Sequence, residues 1–476
     1  MIYAGWAKRP PGGLPSGRTV PTRAENAATG VVQAARQIVE PGGLVKREQA
    51  FDYTVKFRTE RFHKMNDTPR DAPLLFTPIR LRSIVARNRI VSSPMCQYAS
   101  DDGGPGEWQL VNFGRFAMGG CGIVFGEESA VEARGRKTHH CAGIYNDSHV
   151  AAYRRINDFI KSLGAVPAIQ LGHCGRRASQ HGPLKDRAPL TEADASENLR
   201  PWQGIAPSPL PPTPDGVIPR EMDLHDIRET LASWREAAQR SVDAGYDICE
   251  IHGAHGYLIH QFLSPLSNRR TDAYGGSLEC RMRFALEVVD VVRGVWPQDR
   301  PLFFRTSAVE GPGGVWGIDE TLALVRELKQ HGVDVIDCSS GGIGGDGTLP
   351  AIPRVPGFQA GYSREIRRET GMPTVAVGMI SEASHAESIL HEGHADLIAL
   401  ARGLMDNPNW PLHAARELGY ADPLGLVHAR EAQRLRLREQ HSKEYPPGSA
   451  VEIPFGPGEQ VTYCWTDGIA GRRERR

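Results

Sequence analysis

The chain has 476 residues, enough for one large barrel of about 250 residues or more with additions, or for two or three ordinary domains. Hydrophobic residues make up 40 % and charged residues 24 %, as in ordinary water-soluble proteins, and the zero formal net charge gives nucleic acid or an anionic membrane no bulk electrostatic attraction. No apolar run reaches the ~18 residues of a membrane span, and the 8 scattered cysteines form neither a CxxC pair nor a Cys/His cluster, which argues against a disulfide scaffold, a zinc site or an iron–sulfur cluster.

Residues 1–70 carry Gly/Pro clusters, a basic excess and one modest helical pattern, ENAATGVVQAARQIVE, and are expected to form a poorly ordered extension. The start MIYAGWAKRPPGGLPSG lacks the apolar core of a secretory signal, so the expected compartment is the cytoplasm. Met65 stands directly before NDTPRDAPLLFTPIRL, which reads as the opening of a domain and leaves a second start position open.

From Arg89 short apolar runs alternate with longer amphipathic stretches. The runs are RIVSSPM from Arg89, CGIVFGEES from Cys121, VPAIQL from Val166, YDICEIHG from Tyr246, PLFFRTS from Pro301, VDVIDCSSGG from Val333, PTVAVGMI from Pro373 and ADLIALARG from Ala395. Each is β-branched-rich and apolar on both faces, as a parallel strand covered by helices must be. Helical patterns separate them, among them HVAAYRRINDFIKSLG from His149, ETLASWREAAQRSVDAG from Glu229 and LECRMRFALEVVDVVRGVW from Leu278. About eight β–α units predict an α/β TIM barrel over residues 71–420, with an open parallel sheet as the alternative. The Pro-rich stretch from Gly175 to Met222 is too long for an ordinary connection and is expected to cap the barrel mouth. Residues 421–476 read as a basic helix and a Gly/Pro-rich tail.

In such a barrel the working residues sit at strand C-termini. Strand one ends in Ser93-Pro94-Met95-Cys96-Gln97-Tyr98, strand two in Gly126-Glu127-Glu128-Ser129 and strand three in Gln170-Leu171-Gly172-His173. Strand four ends in His252-Gly253-Ala254-His255-Gly256-Tyr257 and strand five carries Arg305. The His252/His255 pair lacks the further ligands of a metal site, so no metal is expected. Two imidazole N–H groups suit an oxygen that gains negative charge, and Tyr257, expected on the same side of an extended strand, suits proton delivery to a carbanionic carbon. Gln170 and Arg305 either pair with neighbouring carboxylates or face the pyrimidine edge of a flavin. Gly378, Ala401 and Arg402 lie where many barrels bind phosphate. Cys96 reads either as an inert buried thiol or as a redox-tuning neighbour of a flavin.

The segments SPMCQY from Ser93, IQLGHCGRRAS from Ile169 and IHGAHGYLIHQFLSPLSNRRTDAYGGSLECRMRF from Ile251 resemble the old yellow enzyme family, in its thermophilic-like bacterial branch. The resemblance runs from about Leu74 to Leu412. It implies an FMN-dependent NAD(P)H oxidoreductase, a homo-oligomer that reduces activated C=C bonds of α,β-unsaturated carbonyl or nitro compounds by ping-pong hydride transfer. It further implies that Ser93, Pro94, Met95, Cys96 and Glu128 line the FMN, that Gln170 and Arg305 hold its ring, and that Gly378, Ala401 and Arg402 hold its phosphate. His252 and His255 would bind the substrate oxygen, Tyr257 would donate the proton, and Tyr98 would touch substrate. Glu128 departs from the family's usual small Ala and would either clash with the ring or pair with a cation. Ala401 replaces a usual Gly, and EYPPGSAVEIPFG offers no equivalent of the family's C-terminal Arg that reaches a neighbouring subunit. A reductase of a bulky aromatic or CoA-linked substrate, a non-redox phosphate-binding isomerase or lyase, and a flavin-binding scaffold without turnover are the competing readings.

Overall fold

The computed structural model describes residues 72–472 apart from 215, 312–313, 345–351, 447, 457–458 and 465–469. The expected N-terminal extension lies outside them. Eight parallel strands hydrogen-bond in sequence order into a closed barrel, so the open-sheet alternative falls. They are β1 (Ile90–Ser92), β2 (Ile123–Ala130), β3 (Val166–Gly172), β4 (Ile248–Gly253), β5 (Leu302–Ser307), β6 (Val335–Ser339), β7 (Thr374–Ala376) and β8 (Leu397–Leu400). All eight coincide with the apolar runs, and every residue in them is buried, because side chains on one face fill the barrel while those on the other meet helices.

Val91, Ile123, Phe125, Ala168, Ile248, Phe303, Val335, Val375 and Leu397 fill the interior in one apolar cluster. A hairpin of Ile79–Leu81 and Ile84–Ala86 adds Leu81 and Ala86 to that cluster. Its partners Ile123, Ile248, Val335 and Leu397 all begin their strands or stand near the start, so the hairpin floors the barrel at its N-terminal end. The opposite, C-terminal rim is thereby left for chemistry.

The outer ring consists of α1 (Glu107–Met118), α2 (Ser148–Ser162), α3 (Leu224–Asp243), α4 (Leu278–Arg293), α5 (Ile318–Gln330), α6 (Ala360–Thr370), α7 (Ala383–His391) and α8 (Trp410–Glu417). Trp234, Val288 and Leu324 carry the apolar stripes of α3, α4 and α5 into one core with Ile251 and Phe304. The helix α3 starts where Asp223 accepts from the backbone N–H of His225 and Asp226 at 2.7 and 2.8 Å, while Asp226 accepts from Asp223 N at 2.9 Å. This reciprocal cap satisfies donors that a helix start would leave unpaired.

The stretch after β3 holds short 3-10 turns, at Gly175–Arg177, Pro183–Lys185 and Glu192–Glu197, and a two-residue parallel bridge between Ile205–Ala206 and Arg220–Glu221. At the C-terminal end a helix forms over Ala429–Glu444, and the Gly/Pro-rich tail beyond it holds strands that the sequence reading did not foresee. Ala450–Gly456, Glu459–Cys464 and Ala470–Arg472 make a three-stranded antiparallel sheet. The period-two alternation in VEI and QVTY outweighs the neighbouring Gly and Pro. No helix among the described residues is long and apolar enough to cross a membrane.

Replacing Asp223 by Ala is expected to cost about 1 kcal/mol of stability through loss of the α3 cap. The shift of the chemical denaturation midpoint measures it.

Candidate active site

The rim collects nearly every residue that the sequence singles out, and local geometry explains how. The pairing of β2 with β3 passes from Phe125↔Ala168 to Glu128↔Gln170, so β2 spends one more residue than its partner. This bulge lets two successive carboxylates be used at the same level of the barrel. Glu127 accepts from Gln97 N at 2.6 Å and from Gln109 Nε2 at 3.0 Å, holding the loop after β1. Glu128, its neighbour, meets Lys137 Nζ at 2.9 Å in a buried ion pair.

Lys137 is the residue the sequence reading missed. It sits in the loop after β2, inside GRKTHH, where a lysine looks like ordinary solvated charge, yet it is only 7 % exposed. The signal was Glu128, since a buried carboxylate calls for a buried cation. Of the two outcomes left open for Glu128, the structure shows the ion pair. Lys137 Nζ also donates to Cys96 Sγ at 2.9 Å and to Tyr257 Oη at 3.2 Å, and lies 4.9 Å from the centre of the Tyr257 ring. Burial disfavours the Lys137 charge, but the acidic groups around it, Cys96, Glu128, Tyr257 and Tyr98, outweigh burial and hold its pKa well above the ordinary value. Burial outweighs the cation at Cys96 and pushes its thiol up to about 12, so the sulfur is a thiol at neutral pH.

The strand β4 ends at Gly253, and the path to Tyr257 is a tight turn. This corrects the expectation that Tyr257 continues an extended strand. His255 and Gly256 both take left-handed backbone, φ +59° and +70°, and Tyr257 caps the short helix Leu258–Leu263. The turn, not strand alternation, brings the three side chains together: the His252 ring is 4.9 Å from that of His255 and 5.1 Å from that of Tyr257. A side chain at Gly256 would strike the Gly342 carbonyl, and one at Gly342 the His255 backbone, so glycine at both lets the loops after β4 and β6 close. His255 N donates to Ser307 Oγ at 3.1 Å and Arg177 Nη1 donates to His255 O at 2.9 Å. These contacts hold a conformation a histidine rarely adopts alone. The stretch after β3 thus braces the turn through Arg177.

His252 Nε2 and His255 Nδ1 stand 3.2 Å apart, and His255 Nε2 pairs with Ser339 Oγ at 2.6 Å. Two ring nitrogens therefore face one small gap. Among the described residues no group of three or more His, Cys, Asp or Glu is arranged to hold a metal ion. Burial, together with nearby cationic groups including Arg305, keeps both histidines neutral, with pKa values well below the ordinary one. Burial likewise pushes the Tyr257 phenol upward against the pull of Lys137, so it carries its proton at neutral pH.

Gln170 and Arg305 do meet carboxylates. Gln170 Nε2 donates to Glu250 Oε1 at 2.8 Å, and Arg305 Nε lies 3.5 Å from Asp337 Oδ2. Burial raises the pKa of both carboxyls against the pull of the Arg305 cation. Arg305 Nη1 also reaches Ser93 Oγ at 3.3 Å, and Ser93 N donates to Leu400 O at 2.9 Å. Met95 packs against the apolar core beneath the rim, Pro94 stands between it and Ser93, and Tyr98 has left-handed backbone with its ring centre 5.8 Å from Lys137 Nζ. Gly378 has φ +122°, and a side chain there would crowd Phe358 and Gln359. Ala401 precedes the short helix Arg402–Asp406, whose first residue, Arg402, is exposed.

Residues 74–420 match the family described as NADH:flavin oxidoreductase / NADH oxidase. The chain is 43 % identical over 350 residues to the NADPH dehydrogenase of Geobacillus sp. (strain WCH70), covering 73 % of this chain and 95 % of the relative. It is 38 % identical over 358 residues to the NADPH dehydrogenase of Bacillus subtilis (strain 168), covering 75 % and 98 %. Among solved structures it resembles morphinone reductase, with TM-score 0.60 and 29 % identity over 74 % of this chain and 92 % of that one. It also resembles the old yellow enzyme homologue from Zymomonas mobilis, with TM-score 0.59 and 26 % identity over 72 % and 93 %.

The neutral histidines set a pH dependence. In the unfolded chain they bind protons below about pH 6.5, while folded they resist, so stability falls as pH drops below about 6.5. Denaturation midpoints at about pH 7.5 and about pH 5.5 should differ less in a His252→Asn/His255→Asn variant than in the parent chain.

Proposed function

We propose, for a chain that belongs to the NADH:flavin oxidoreductase / NADH oxidase family, that the rim reduces the activated C=C bond of an α,β-unsaturated carbonyl or nitro compound. The enzyme is an FMN-dependent NAD(P)H oxidoreductase of the ene-reductase type on a TIM barrel. The observation that carries the substrate class is the meeting of His252, His255 and Tyr257 on the rim that also bears Gln170 and Arg305.

The residues present fit FMN. Arg305 Nε is buried without a hydrogen-bond partner among the described residues, and a buried cation and amide suit the pyrimidine edge of the ring. In this reading Gln170 and Arg305 would hold that edge, with Glu250 bracing the amide and Asp337 the guanidinium. Ser93, Pro94, Met95 and Cys96 line the ring. The tight backbone at Gly378, with Ala401 and Arg402 at a helix start, takes the phosphate. Glu128 joins the wall through Lys137. When bound, FMN supplies to the substrate β-carbon the hydride it has taken from NAD(P)H.

The protein supplies the rest. With Ser339 holding His255 Nε2, the Nδ1 N–H of His255 and the Nε2 N–H of His252 converge on one acceptor. The substrate oxygen is that acceptor, and it gains negative charge as the double bond is reduced. Neutral rings donate without presenting a proton acidic enough to be lost. Tyr257 then delivers its phenolic proton to the α-carbon. The reading places the enzyme in the cytoplasm as a homo-oligomer acting on a small molecule, without a nucleic-acid or membrane partner. Free buried cysteines such as Cys121, Cys174 and Cys338 are compatible with a reducing compartment.

The purified protein should be yellow, bleach under anaerobic NADPH or NADH, and recover its colour with 2-cyclohexenone. His255→Ala should lower kcat/KM for the enone about 100-fold, as loss of a transition-state donor does. A colourless protein that FMN cannot reconstitute, or full turnover in that variant, contradicts the reading.

A further inference from the structure

The three hydrogens of the Lys137 ammonium have three acceptors, and each comes from a different part of the rim. Cys96 Sγ lies in the loop after β1, Glu128 Oε2 on β2, and Tyr257 Oη in the turn after β4, at 2.9, 2.9 and 3.2 Å. A lysine needed only to neutralise Glu128 would have no reason to spend a donor on a phenol. The contact matters because Tyr257 is neutral before it gives up its proton and anionic afterwards.

We propose that Lys137 is a positioning residue for proton delivery: its ammonium aims Tyr257 Oη and stabilises the phenolate left when the proton moves to substrate. This rests on the reading of Tyr257 as proton donor. In the step the Oη–H bond breaks and a C–H bond forms at the substrate α-carbon. The electron pair of the broken bond stays on Oη, the substrate's negative charge is neutralised, and a proton from water restores the phenol. No oxidant or reductant enters the step. Glu128 sets the strength of the effect. It keeps Lys137 charged in a buried place, and its own charge tempers the pull of the cation on Tyr257, so the phenol is not ionised before substrate binds.

The groups facing Lys137 leave it little competition. Cys96 and Tyr98 face it from the loop after β1, Cys141 from its own loop, and Cys174 from the end of β3. His252, His255 and Arg305 lie beyond Tyr257 and are neutral or cationic. Among the described residues Glu128 is the carboxylate bonded to the ammonium, while Glu127, held by Gln97 and Gln109, attracts it from farther away.

The test uses the FMN-loaded enzyme and a Lys137→Met/Glu128→Gln variant, which removes both charges and so leaves no unpaired carboxylate in the rim. Placing 3,5-difluorotyrosine at position 257 brings its phenol into an accessible pH range, read by fluorine NMR without turnover. In the double variant the titration midpoint should move up by about half a pH unit or more, because the pull of the Lys137 cation on Tyr257 outweighs the opposing push of Glu128. Single-turnover oxidation of the reduced enzyme by 2-cyclohexenone should slow about tenfold or more, and Lys137→Arg should recover part of it. Adding Tyr257→Phe to the double variant should slow it no further than Tyr257→Phe alone. An unmoved midpoint, or additive losses, overturns the role of Lys137 while leaving Tyr257 as donor. A Tyr257→Phe enzyme with the parent rate overturns the donor assignment itself, and the inference with it.

Discussion

Pairing of Ile398 with Ile90 and of Leu400 with Ser92 joins the last strand of the barrel to the first, and the chemistry depends on that seam. Ser93 N continues it by donating to Leu400 O at 2.9 Å. The seam delivers the loop after β1 to the same rim as the turn after β4, although about 160 residues separate Cys96 from Tyr257 in the chain. An open sheet of the same strands would leave Cys96 at one margin and Gly378 and Ala401 towards the other, with no shared rim. Closure also removes two edges that would otherwise expose unpaired backbone groups.

On that rim the polar groups constrain one another more than any single one suggests. Glu127 holds the loop after β1, Glu128 holds Lys137, and Lys137 holds both Cys96 and Tyr257. On the other side Ser307, Arg177 and Ser339 lock His255 into its left-handed turn. The histidines are thus held rigidly, while the phenol sits beside a cation whose own charge is already met. Electrostatic preorganisation of this kind requires no reorganisation as charge develops.

The barrel was legible because its strands are buried on both faces, so eight apolar runs stand out from the amphipathic helices between them. The site was legible because polar residues such as Gln170, His252 and Arg305 interrupt those runs at their C-terminal ends. What escaped is carried by geometry that periodicity does not encode. The bulge in β2 appears only in the pairing with β3, and without it the separate duties of Glu127 and Glu128 are hidden. Lys137 looks like surface charge until the loop after β2 folds over the rim. The turn at His255 and Gly256 replaces the strand expected there. The C-terminal sheet was masked by the Gly and Pro residues that flank its strands. The carboxylates beneath Gln170 and Arg305 turn two alternatives into one arrangement, since the same side chains meet Glu250 and Asp337 and still face the rim.

The central claim is that the substrate oxygen sits between two neutral histidines while a lysine-backed phenol faces the carbon to be protonated. A crystal structure of the FMN-loaded protein with bound 2-cyclohexenone tests it most directly. The expected result is a carbonyl oxygen within hydrogen-bonding reach of both His252 and His255, with Tyr257 Oη over the α-carbon and Lys137 still on Tyr257. A carbonyl held by Lys137 instead of the histidines, or a lysine turned away from Tyr257, would contradict it.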